Sequence, residues 1–394
     1  MKDKQKQLIK KSVKPLLLFV SYFIKIRPNR VILSAYNGRY ACNPKYIYDE
    51  LKKYDELDII WVYGNDGADA FPSGAKLVKR RTLKHILTYY SSRVVVENDS
   101  FPIFLPRKKG QLYLNTGHGG GAIKKVGFAC DSIGDVAAEI LNDVAAKTDV
   151  YLSSSKLKSD TDLRVDHNYN GTIFKTGMPR NDVFFIDGDE IKAKVRAYYN
   201  IDDAKKIVLY APTFRPMIDG KRSLESRMDI NRGEVLSALK ERFGGDWVLM
   251  ERAHHNTHNM ENADGVINAT DYPDMQELLV TADVLITDYS SSTWDFGLTG
   301  KPAFSVAVDY EEFKNGRGFF LEGEEWCCVF TRSNEELCKA IIGFDEEKYA
   351  KKLEKYYADS VCYDNGTASK TVAKYINMLC KGKIDEEFIK SITE

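Results

Sequence analysis

Short apolar runs alternate with amphipathic or polar stretches along most of the chain. In the first half, runs of four to six residues rich in Val, Ile, Leu and Tyr are separated by polar or helix-forming segments such as 44–54. Runs of this length and composition predict buried strands, and strands that alternate with helices predict a parallel sheet. The predicted strands of this half are 31–36, 59–63, 75–78, 93–97, 112–115, 149–153 and 172–175.

The same pattern returns after a polar, acid-rich passage over 184–201. A helix is predicted over 274–282, and the tail over 346–383 also reads as helical. The sequence therefore predicts an α/β protein of two parallel-sheet domains, 30–190 and 201–383, that face each other across a cleft. The predicted strands of the second half are 206–212, 247–250, 266–268, 284–287 and 303–306.

Charge and cysteine usage exclude several classes of function. Lys plus Arg and Asp plus Glu both number 57, so the chain has no overall basic field for binding nucleic acid. The seven cysteines are scattered, without a CxxC pair or any metal-ligand spacing. This usage indicates reduced thiols in a cytoplasmic compartment and predicts neither a disulfide framework nor a bound metal.

The first 29 residues form a basic segment with an apolar centre. Nine Lys or Arg residues and a single acid, Asp3, occur among the first thirty residues, around the apolar run 15–24. Ten helical residues rise about 15 Å, half of a bilayer core, so this run does not span a membrane. We expect residues 1–29 to lie on an anionic membrane surface and to hold the protein peripherally at the cytoplasmic face. A helix packed on its own domain, or a dimer contact, is the alternative, and the oligomeric state stays open.

A glycine-rich loop with one histidine follows the predicted strand 112–115. Glycines on both sides of His118 give its side chain little local packing, and a neutral imidazole can accept a proton from a hydroxyl near pH 7. Glycines let a backbone approach a ligand, and lysines supply positive charge. The alternative is a glycine-rich turn with an incidental histidine. The other residues of this loop that we single out are Gly119, Gly120, Gly121, Lys124 and Lys125.

Polar residues suited to phosphate also follow strands of the second half. Ligands bind at the carboxyl ends of parallel strands, where hydroxyls, guanidinium groups and turn N–H groups can converge on an anion. The serine run after strand 284–287 could alternatively serve only as a helix cap. No P-loop, G-x-S-x-G or H-E-x-x-H pattern is present, so these residues indicate a nucleotide-dependent transferase. They are Thr213, Arg215, Arg252, His254, Asp288, Ser290, Ser291, Ser292 and Arg317.

These segments, in this order, resemble the CDP-glycerol glycerophosphotransferase family, which includes teichoic acid primases and polymerases. The strongest stretch runs from Asp271 to Glu322 and includes the Asp288-Tyr-Ser-Ser turn and the Arg317-Gly-Phe-Phe segment. Gly177-Met-Pro-Arg-Asn-Asp182 and Tyr210-Ala-Pro-Thr-Phe-Arg215 extend the resemblance to roughly 115–325. It implies a GT-B-like fold of two Rossmann-like domains, with the acceptor side in the first and CDP-glycerol bound by the second.

The resemblance also implies roles for the residues named above. His118 would be the general base that activates a hydroxyl of a teichoic-acid-like or capsular polymer, or of its lipid-linked precursor. Attack on CDP-glycerol would then transfer glycerol phosphate and release CMP, with no obligatory cofactor or metal. Arg180 and Asn181 would join the second-half residues in binding the diphosphate. The loop after His118 departs from the family pattern because it lacks the usual proline and is one residue longer before its lysines.

Three alternative functions stay open, and the enzymatic ones would bind phosphate through the same residues. One is a CDP-ribitol-dependent ribitol-phosphate transferase, and another is a GT-B glycosyltransferase or sugar-nucleotide epimerase that uses a UDP-sugar. The third is a non-catalytic scaffold at the membrane surface. Release of CMP or UDP from each donor distinguishes the enzymes from one another and from the scaffold.

Overall fold

The computed structural model describes residues 13–64, 67–102, 104–130, 133–213, 230–252 and 266–394. The chain forms two compact units that are not contiguous in sequence. The first holds the described residues up to His118, together with Gly127–Asp182 and Tyr363–Glu394. The second holds Gly119–Val126 and Val183–Cys362.

The helices are short to medium in length and separate the strands. They are α1 (13–22), α2 (Cys42–Leu51), α3 (Leu83–Ser91), α4 (Asp135–Lys147), α5 (Lys156–Lys158), α6 (Asp189–Tyr199), α7 (Arg232–Phe243), α8 (Met275–Thr281), α9 (Ser292–Gly297), α10 (Tyr310–Gly316), α11 (Asn334–Ile342), α12 (Glu346–Asp359), α13 (Ala368–Cys380) and α14 (Glu386–Ile392). Helix α5 continues into a π-helical stretch, Ser159–Asp166, and Pro179–Phe185 is a 3₁₀ segment.

The first unit is built on a seven-stranded parallel sheet. Its strands are β1 (Arg27–Leu33), β2 (Asp58–Tyr63), β3 (Lys76–Lys79), β4 (Ser92–Glu97), β5 (Leu112–Asn115), β6 (Val150–Leu152) and β7 (Thr172–Phe174). Their order across the sheet is β3-β2-β1-β4-β5-β6-β7. Strands β1 to β3 follow one another towards one edge of the sheet, and strands β4 to β7 follow one another towards the other edge. The direction of winding therefore reverses between the neighbouring strands β1 and β4.

Both faces of this sheet are covered by helices. Val31 and Leu33 of β1 pack with the apolar side chains of α2 and α13, whereas Ile32 packs with residues of α3 on the opposite face. Successive side chains of a strand point to opposite faces, so a strand that is buried on both sides is apolar throughout. This is why the first predicted strands are short continuous apolar runs.

The second unit has a six-stranded parallel sheet of the same kind. Its strands are β8 (Lys206–Tyr210), β9 (Trp247–Glu251), β10 (Val266–Asn268), β11 (Val284–Thr287), β12 (Ala303–Val306) and β13 (Val329–Thr331). Their order is β10-β9-β8-β11-β12-β13, so winding reverses between β8 and β11. The predicted fold class of two parallel-sheet α/β domains is confirmed.

Two segments pack with a different unit from the one that their neighbours in sequence form. Helix α13 joins the first unit because Val372 and Ile376 pack into its core beside α2, although the sequence analysis assigned residues up to 383 to the second domain. Residues 119–126 join the second unit, where Ile123 is 2% exposed and packs into the core. Sequence position alone does not reveal either exchange, because both depend on which core receives an apolar face.

Candidate active site

His118 lies three residues beyond β5, at the end of the first unit's continuous N-terminal segment. Its Nδ1 is 3.1 Å from the backbone carbonyl oxygen of Asn98, which follows the neighbouring strand β4. A carbonyl only accepts, so Nδ1 carries the hydrogen and Nε2 has the free lone pair. The ring of Tyr36 contacts the imidazole edge-on, with the ring centroids 5.7 Å apart. These contacts fix the tautomer in which Nε2 can act as a base.

The surroundings of His118 favour its neutral form. Burial of the ring among protein atoms is the largest cause that lowers the pKa of His118, and the charges of Arg180 and Lys158 lower it further. The carboxylate of Asp99 and the hydrogen bond to Asn98 oppose this shift. The residue nevertheless keeps an exposed surface, and solvent moderates the effect. The imidazole is therefore available as a proton acceptor at neutral pH.

Asn43 connects the histidine loop to Arg180. The side chain of Asn43 is 0% exposed, and its Nδ2 donates to the carbonyl oxygens of Gly117 at 2.8 Å and Thr116 at 3.2 Å. Its Oδ1 accepts a hydrogen bond of 3.0 Å from the backbone N–H of Arg180. One buried amide thus sets the spacing between the residue before His118 and Arg180. Arg180 and Asn181 are themselves buried, at 7% and 0% exposure.

The segment that carries Arg180 is also held by the C-terminal part of the chain. Asp364 Oδ1 accepts from the N–H of Met178 at 2.7 Å. The Asp182 carboxylate accepts from two N–H groups at the start of α13, those of Ala368 at 3.0 Å and Ser369 at 2.7 Å. Because these hydrogen bonds lie on both sides of Arg180, they fix the course of the segment.

Thr213 and Asp288 meet in the second unit where the winding of the sheet reverses. They follow β8 and β11, which are neighbours, and Thr213 donates to the Asp288 carboxylate from Oγ1 at 2.7 Å and from its N–H at 3.0 Å. Asp288 is 1% exposed. A buried carboxylate that already accepts these bonds repels a phosphate, so Asp288 serves to hold the Thr213 loop in place.

The serine turn leads from Asp288 into α9. Ser290 and Ser291 are half-buried, and the hydroxyl of Ser292 donates to the hydroxyl oxygen of Ser290 at 2.9 Å. Ser291 is the N-cap residue of α9, yet its side chain makes no capping hydrogen bond. Helix capping by a serine hydroxyl therefore does not account for Ser291, and its hydroxyl remains suited to an anion at this turn.

The three consecutive glycines pack against the first turn of α9. A Cβ on Gly119 would lie 3.2 Å from Ser291 Oγ, and one on Gly120 would lie 2.3 Å from Trp294 Cδ1 and 2.6 Å from Asp295 Oδ1. A Cβ on Gly121 would lie 2.9 Å from Trp294 Cβ. Their lack of side chains thus lets the backbone approach a buried tryptophan. This packing is a structural reason for the glycines that the sequence analysis did not consider.

The two lysines of the loop lie beside Arg317. The Lys125 N–H donates to the Gly318 carbonyl at 3.1 Å, and Lys124 forms a β-bridge with Phe319. Arg317 Nε donates to the Lys125 carbonyl at 2.9 Å. Two consecutive lysines and an arginine that is distant from them in sequence are therefore held together within the second unit.

The remaining predicted residue that the structure describes is Arg252, directly after β9. Its guanidinium donates to the Tyr272 carbonyl at 2.8 Å and its N–H donates to Tyr210 at 2.9 Å, next to the Thr213 loop along the same sheet edge. Arg215 and His254 lie outside the described residues.

Sequence reasoning missed the residues that organise the surroundings of His118. Asn43 directly precedes the predicted helical segment 44–54 and has no local signal of its own, although a buried asparagine needs hydrogen-bond partners. Asn98 and Tyr36 also escaped notice. Tyr36 adopts the left-handed φ of 45°, and Asn98 Oδ1 accepts from its N–H at 3.0 Å. The signal that could have found Asn98 is its position directly after a buried strand.

The family relationship follows from comparison with known proteins. The chain is 28% identical over 365 residues to a teichoic acid poly(glycerol phosphate) polymerase of Bacillus spizizenii, a match that covers 87% of this chain and 91% of that protein. A polymerase of the same name from Staphylococcus epidermidis is 27% identical over 374 residues. That match covers 89% of this chain but 51% of the relative, so the chain spans about half the length of that protein.

Solved structures and a family model agree with these relatives. The structure matches a variant of the wall teichoic acid polymerase TagF soaked with CDPG, with a TM-score of 0.79 and 26% identity. The match covers 91% of this chain and 90% of the TagF chain. The model of the CDP-glycerol:poly(glycerophosphate) glycerophosphotransferases matches residues 16–378, well over half of the chain. The chain therefore belongs to the CDP-glycerol:poly(glycerophosphate) glycerophosphotransferase family.

Proposed function

We propose that this chain transfers glycerol phosphate from CDP-glycerol to a hydroxyl of a teichoic-acid-like or capsular polymer, or of its lipid-linked precursor, and releases CMP. The observation that carries the proposal is the family match over residues 16–378, which include His118 and the serine turn. The names of the relatives and the CDPG-soaked TagF structure support glycerol phosphate as the transferred group.

In this proposal His118 acts as the general base. Nε2 takes the proton of the acceptor hydroxyl, and the hydroxyl oxygen attacks the phosphorus that bears glycerol. The new P–O bond forms as the bond from that phosphorus to the bridging oxygen breaks, and CMP leaves with the electron pair. Hydrogen-bond donors that are already in position stabilise the negative charge that develops on CMP with less reorganisation energy than water, whose molecules must reorient. We assign this role to Arg180, Arg215, Arg252, His254, Ser290, Ser291, Ser292 and Arg317, and include no obligatory metal. Thr213 is not among these donors, because its hydroxyl and its N–H already donate to Asp288.

Donor competition tests the proposal. The purified chain is incubated with a lipid-linked or glycerophosphate-primed acceptor and, separately, with CDP-glycerol, CDP-ribitol or a UDP-sugar. We expect CMP release and a product heavier by glycerol phosphate with CDP-glycerol alone. Faster CMP release from CDP-ribitol, or UDP release from a UDP-sugar, would replace the proposed donor. The absence of release from every donor would favour the scaffold alternative.

Asn43 gives a prediction about this activity. Replacing Asn43 by alanine removes the bonds to Gly117 and Thr116 and the acceptor for Arg180, so His118 loses its set position. Misplacing a catalytic group by about 1 Å can cost about a hundredfold in rate, and we expect kcat to fall by about 10- to 100-fold with little change in the KM for CDP-glycerol. Asn377→Ala is the matched control, a buried asparagine on α13 whose Oδ1 has no hydrogen-bond partner within the described chain. Equal kcat values for the two variants would contradict the assignment.

We further infer peripheral attachment to the cytoplasmic face of the cell membrane through α1 and its surroundings. None of the helices that the structure describes combines the length and apolar character needed to cross a bilayer. Leu17 and Ile24 anchor this region to the first unit, whereas Leu16, Phe19 and Phe23 are 62%, 65% and 74% exposed.

A basic groove lies beside this apolar face. It has a volume of about 660 Å³ and is lined in part by Lys25, Arg27, Lys84 and Leu87. Exposed apolar side chains next to basic ones suit a surface where acyl chains begin beneath anionic headgroups. The basic residues 1–12 of the predicted segment lie outside the described residues.

Vesicle co-sedimentation measures this attachment. We expect the chain to pellet with vesicles that contain anionic lipid and to be released by high salt, because each basic residue near the surface contributes about 1 kcal/mol. Phe19→Ser combined with Phe23→Ser should lower the pelleted fraction severalfold. Val165→Ser, a change at another exposed apolar residue of the first unit, should not alter it. Equal pelleting of all three proteins would remove this face as the attachment surface.

A further inference from the structure

The first sheet has its own place where winding reverses, between β1 and β4. In open parallel sheets the carboxyl ends of two such strands diverge, and the crevice between them is where ligands bind. Ser34 follows β1 directly and Glu97 is the last residue of β4. Neither Ser34 nor Glu97 is among the candidate residues derived from the sequence.

A small polar recess occupies the crevice. It has a volume of about 10 Å³, which is close to the space for one water molecule or one hydroxyl group. A phosphate group or a sugar ring is too large for it. The polar side chains that line it come from the ends of β1 and β4, from the residue after β3 and from α3. They are Ser34, Asn37, Arg80, His85, Glu97, Asp99 and Ser100.

The recess offers hydrogen bonds suited to an uncharged alcohol. Glu97 is 8% exposed, and burial raises its pKa to about 8, so at neutral pH its carboxyl group is largely protonated and both donates and accepts. The Ser34 hydroxyl is hydrogen-bonded to it. Burial lowers the pKa of His85 to about 4, so this imidazole is neutral. Arg80, which also lines the recess, is a further hydrogen-bond donor, and its charge interacts with Glu97 and Asp99.

The recess and His118 share the end of β4. Asn98, between the recess residues Glu97 and Asp99, provides the carbonyl oxygen that holds His118 Nδ1 at 3.1 Å. The carboxylate of Asp99 acts electrostatically on both Glu97 and His118. The recess and the candidate base are therefore connected through three consecutive residues, 97–99.

We propose that the recess formed by Ser34, Arg80 and Glu97 binds a hydroxyl of the acceptor and thereby selects a polyol end. This inference rests on the proposed function, since it assigns the acceptor side of the same reaction. Its ligand class is an uncharged vicinal alcohol, such as the terminal glycerol of a glycerophosphate chain. The recess is too small to take the phosphate groups of the same chain.

Kinetics with separate acceptor and donor titrations test the proposal. Glu97→Leu and Arg80→Met each remove hydrogen bonds to the hydroxyl, and we expect the KM for the acceptor to rise by about 10-fold with the KM for CDP-glycerol unchanged. Glu97→Gln keeps a neutral donor and acceptor of the same size and should stay within about threefold of the parent chain. Glu56→Leu is the matched control, because Glu56 lies outside the recess and is ion-paired with Lys381. Thermal melting of each variant identifies any that fails to fold.

A binding measurement without the donor separates this inference from the proposed function. Saturation-transfer NMR follows glycerophosphoglycerol, a soluble diol probe, with the full chain. Binding that is lost in Glu97→Leu and kept in Glu97→Gln supports the recess even if no CMP is released from CDP-glycerol. Failure of the parent chain to bind the probe overturns the proposal. The proposal is also overturned if both Glu97→Leu and Arg80→Met leave the KM for the acceptor and the binding of the probe unchanged, even if CDP-glycerol turns over normally.

Discussion

Replacing His118 by glutamine is expected to lower the kcat for glycerol phosphate transfer by about 100- to 10,000-fold, the range that positioned general bases contribute. Glutamine can keep the hydrogen bond to the Asn98 carbonyl but has no basic nitrogen to take the proton of the acceptor. The KM for CDP-glycerol should change little, since His118 is not among the residues that we assign to the diphosphate. Measurement of CMP release under saturating donor and acceptor gives the kcat.

A matched histidine provides the control. His167 lies in the same unit and pairs with Asp162 through Nδ1 at 3.2 Å, and His167→Gln should leave kcat unchanged. If His118→Gln turned over at the rate of the parent chain, His118 could not be the base.

The pH profile gives a second observation on the same residue. Because burial lowers the pKa of His118, the imidazole stays neutral to a lower pH than an unperturbed histidine, whose pKa is about 6.5. Activity should therefore persist below that value and fall only when pH drops through the lowered pKa. Asp99 raises the pKa of His118, so Asp99→Asn should move the acid limb further down. An acid limb above the ordinary histidine range would contradict this environment.

Replacing Gly120 by alanine is expected to disturb both stability and activity. The added Cβ would lie 2.3 Å from Trp294 Cδ1, and Trp294 is 0% exposed, so neither the loop nor the tryptophan has space to move. Overpacking of this kind typically costs about 1–3 kcal/mol, and each kcal/mol lowers Tm by about 2–4 °C in a domain of this size. Turnover should also fall, because Gly120 is two residues from His118.

Gly316→Ala is the control for this substitution. Gly316 ends α10 in the same unit, and a Cβ there would meet no atom within 4 Å. Alanine at such a position leaves stability unchanged or raises it slightly. Calorimetry that gave the same Tm for both variants would show that the glycine loop is not packed against α9 as described.

Much of the candidate site could be predicted from the sequence because ligands bind at the carboxyl ends of parallel strands. A strand that is buried on both faces is apolar throughout, so the first polar residues after it are easy to recognise. Thr213 and Asp288 illustrate this, since their strands are neighbours at the point of reversal. The same rule applied to Glu97-Asn98-Asp99 would have located the recess. The sequence alone does not show that these residues meet Ser34 and Arg80, because the order of strands decides which ends are adjacent, and that order depends on long-range pairing.

Other features depend on contacts that no local pattern contains. Asn43 bonds to carbonyls more than seventy residues away along the chain, so its role cannot be read from its helix. The glycines after His118 are conspicuous in the sequence, but a glycine allows the close approach of a ligand and of a tryptophan side chain equally well. Only the position of Trp294 decides between these two reasons.

Because residues 363–394 belong to the first unit, that unit is completed only at the end of synthesis on the ribosome. The second unit's residues, 183–362, are all made before α13 emerges, whereas the first core still lacks the side chains of Val372 and Ile376. Domains generally fold as soon as their sequence is complete. We therefore expect the nascent first unit to wait, with the apolar face of α2 uncovered, until α13 arrives. Asp364 and the start of α13 then hold the segment of Arg180 through Met178 and Asp182, so we expect activity to appear only after these residues have been made.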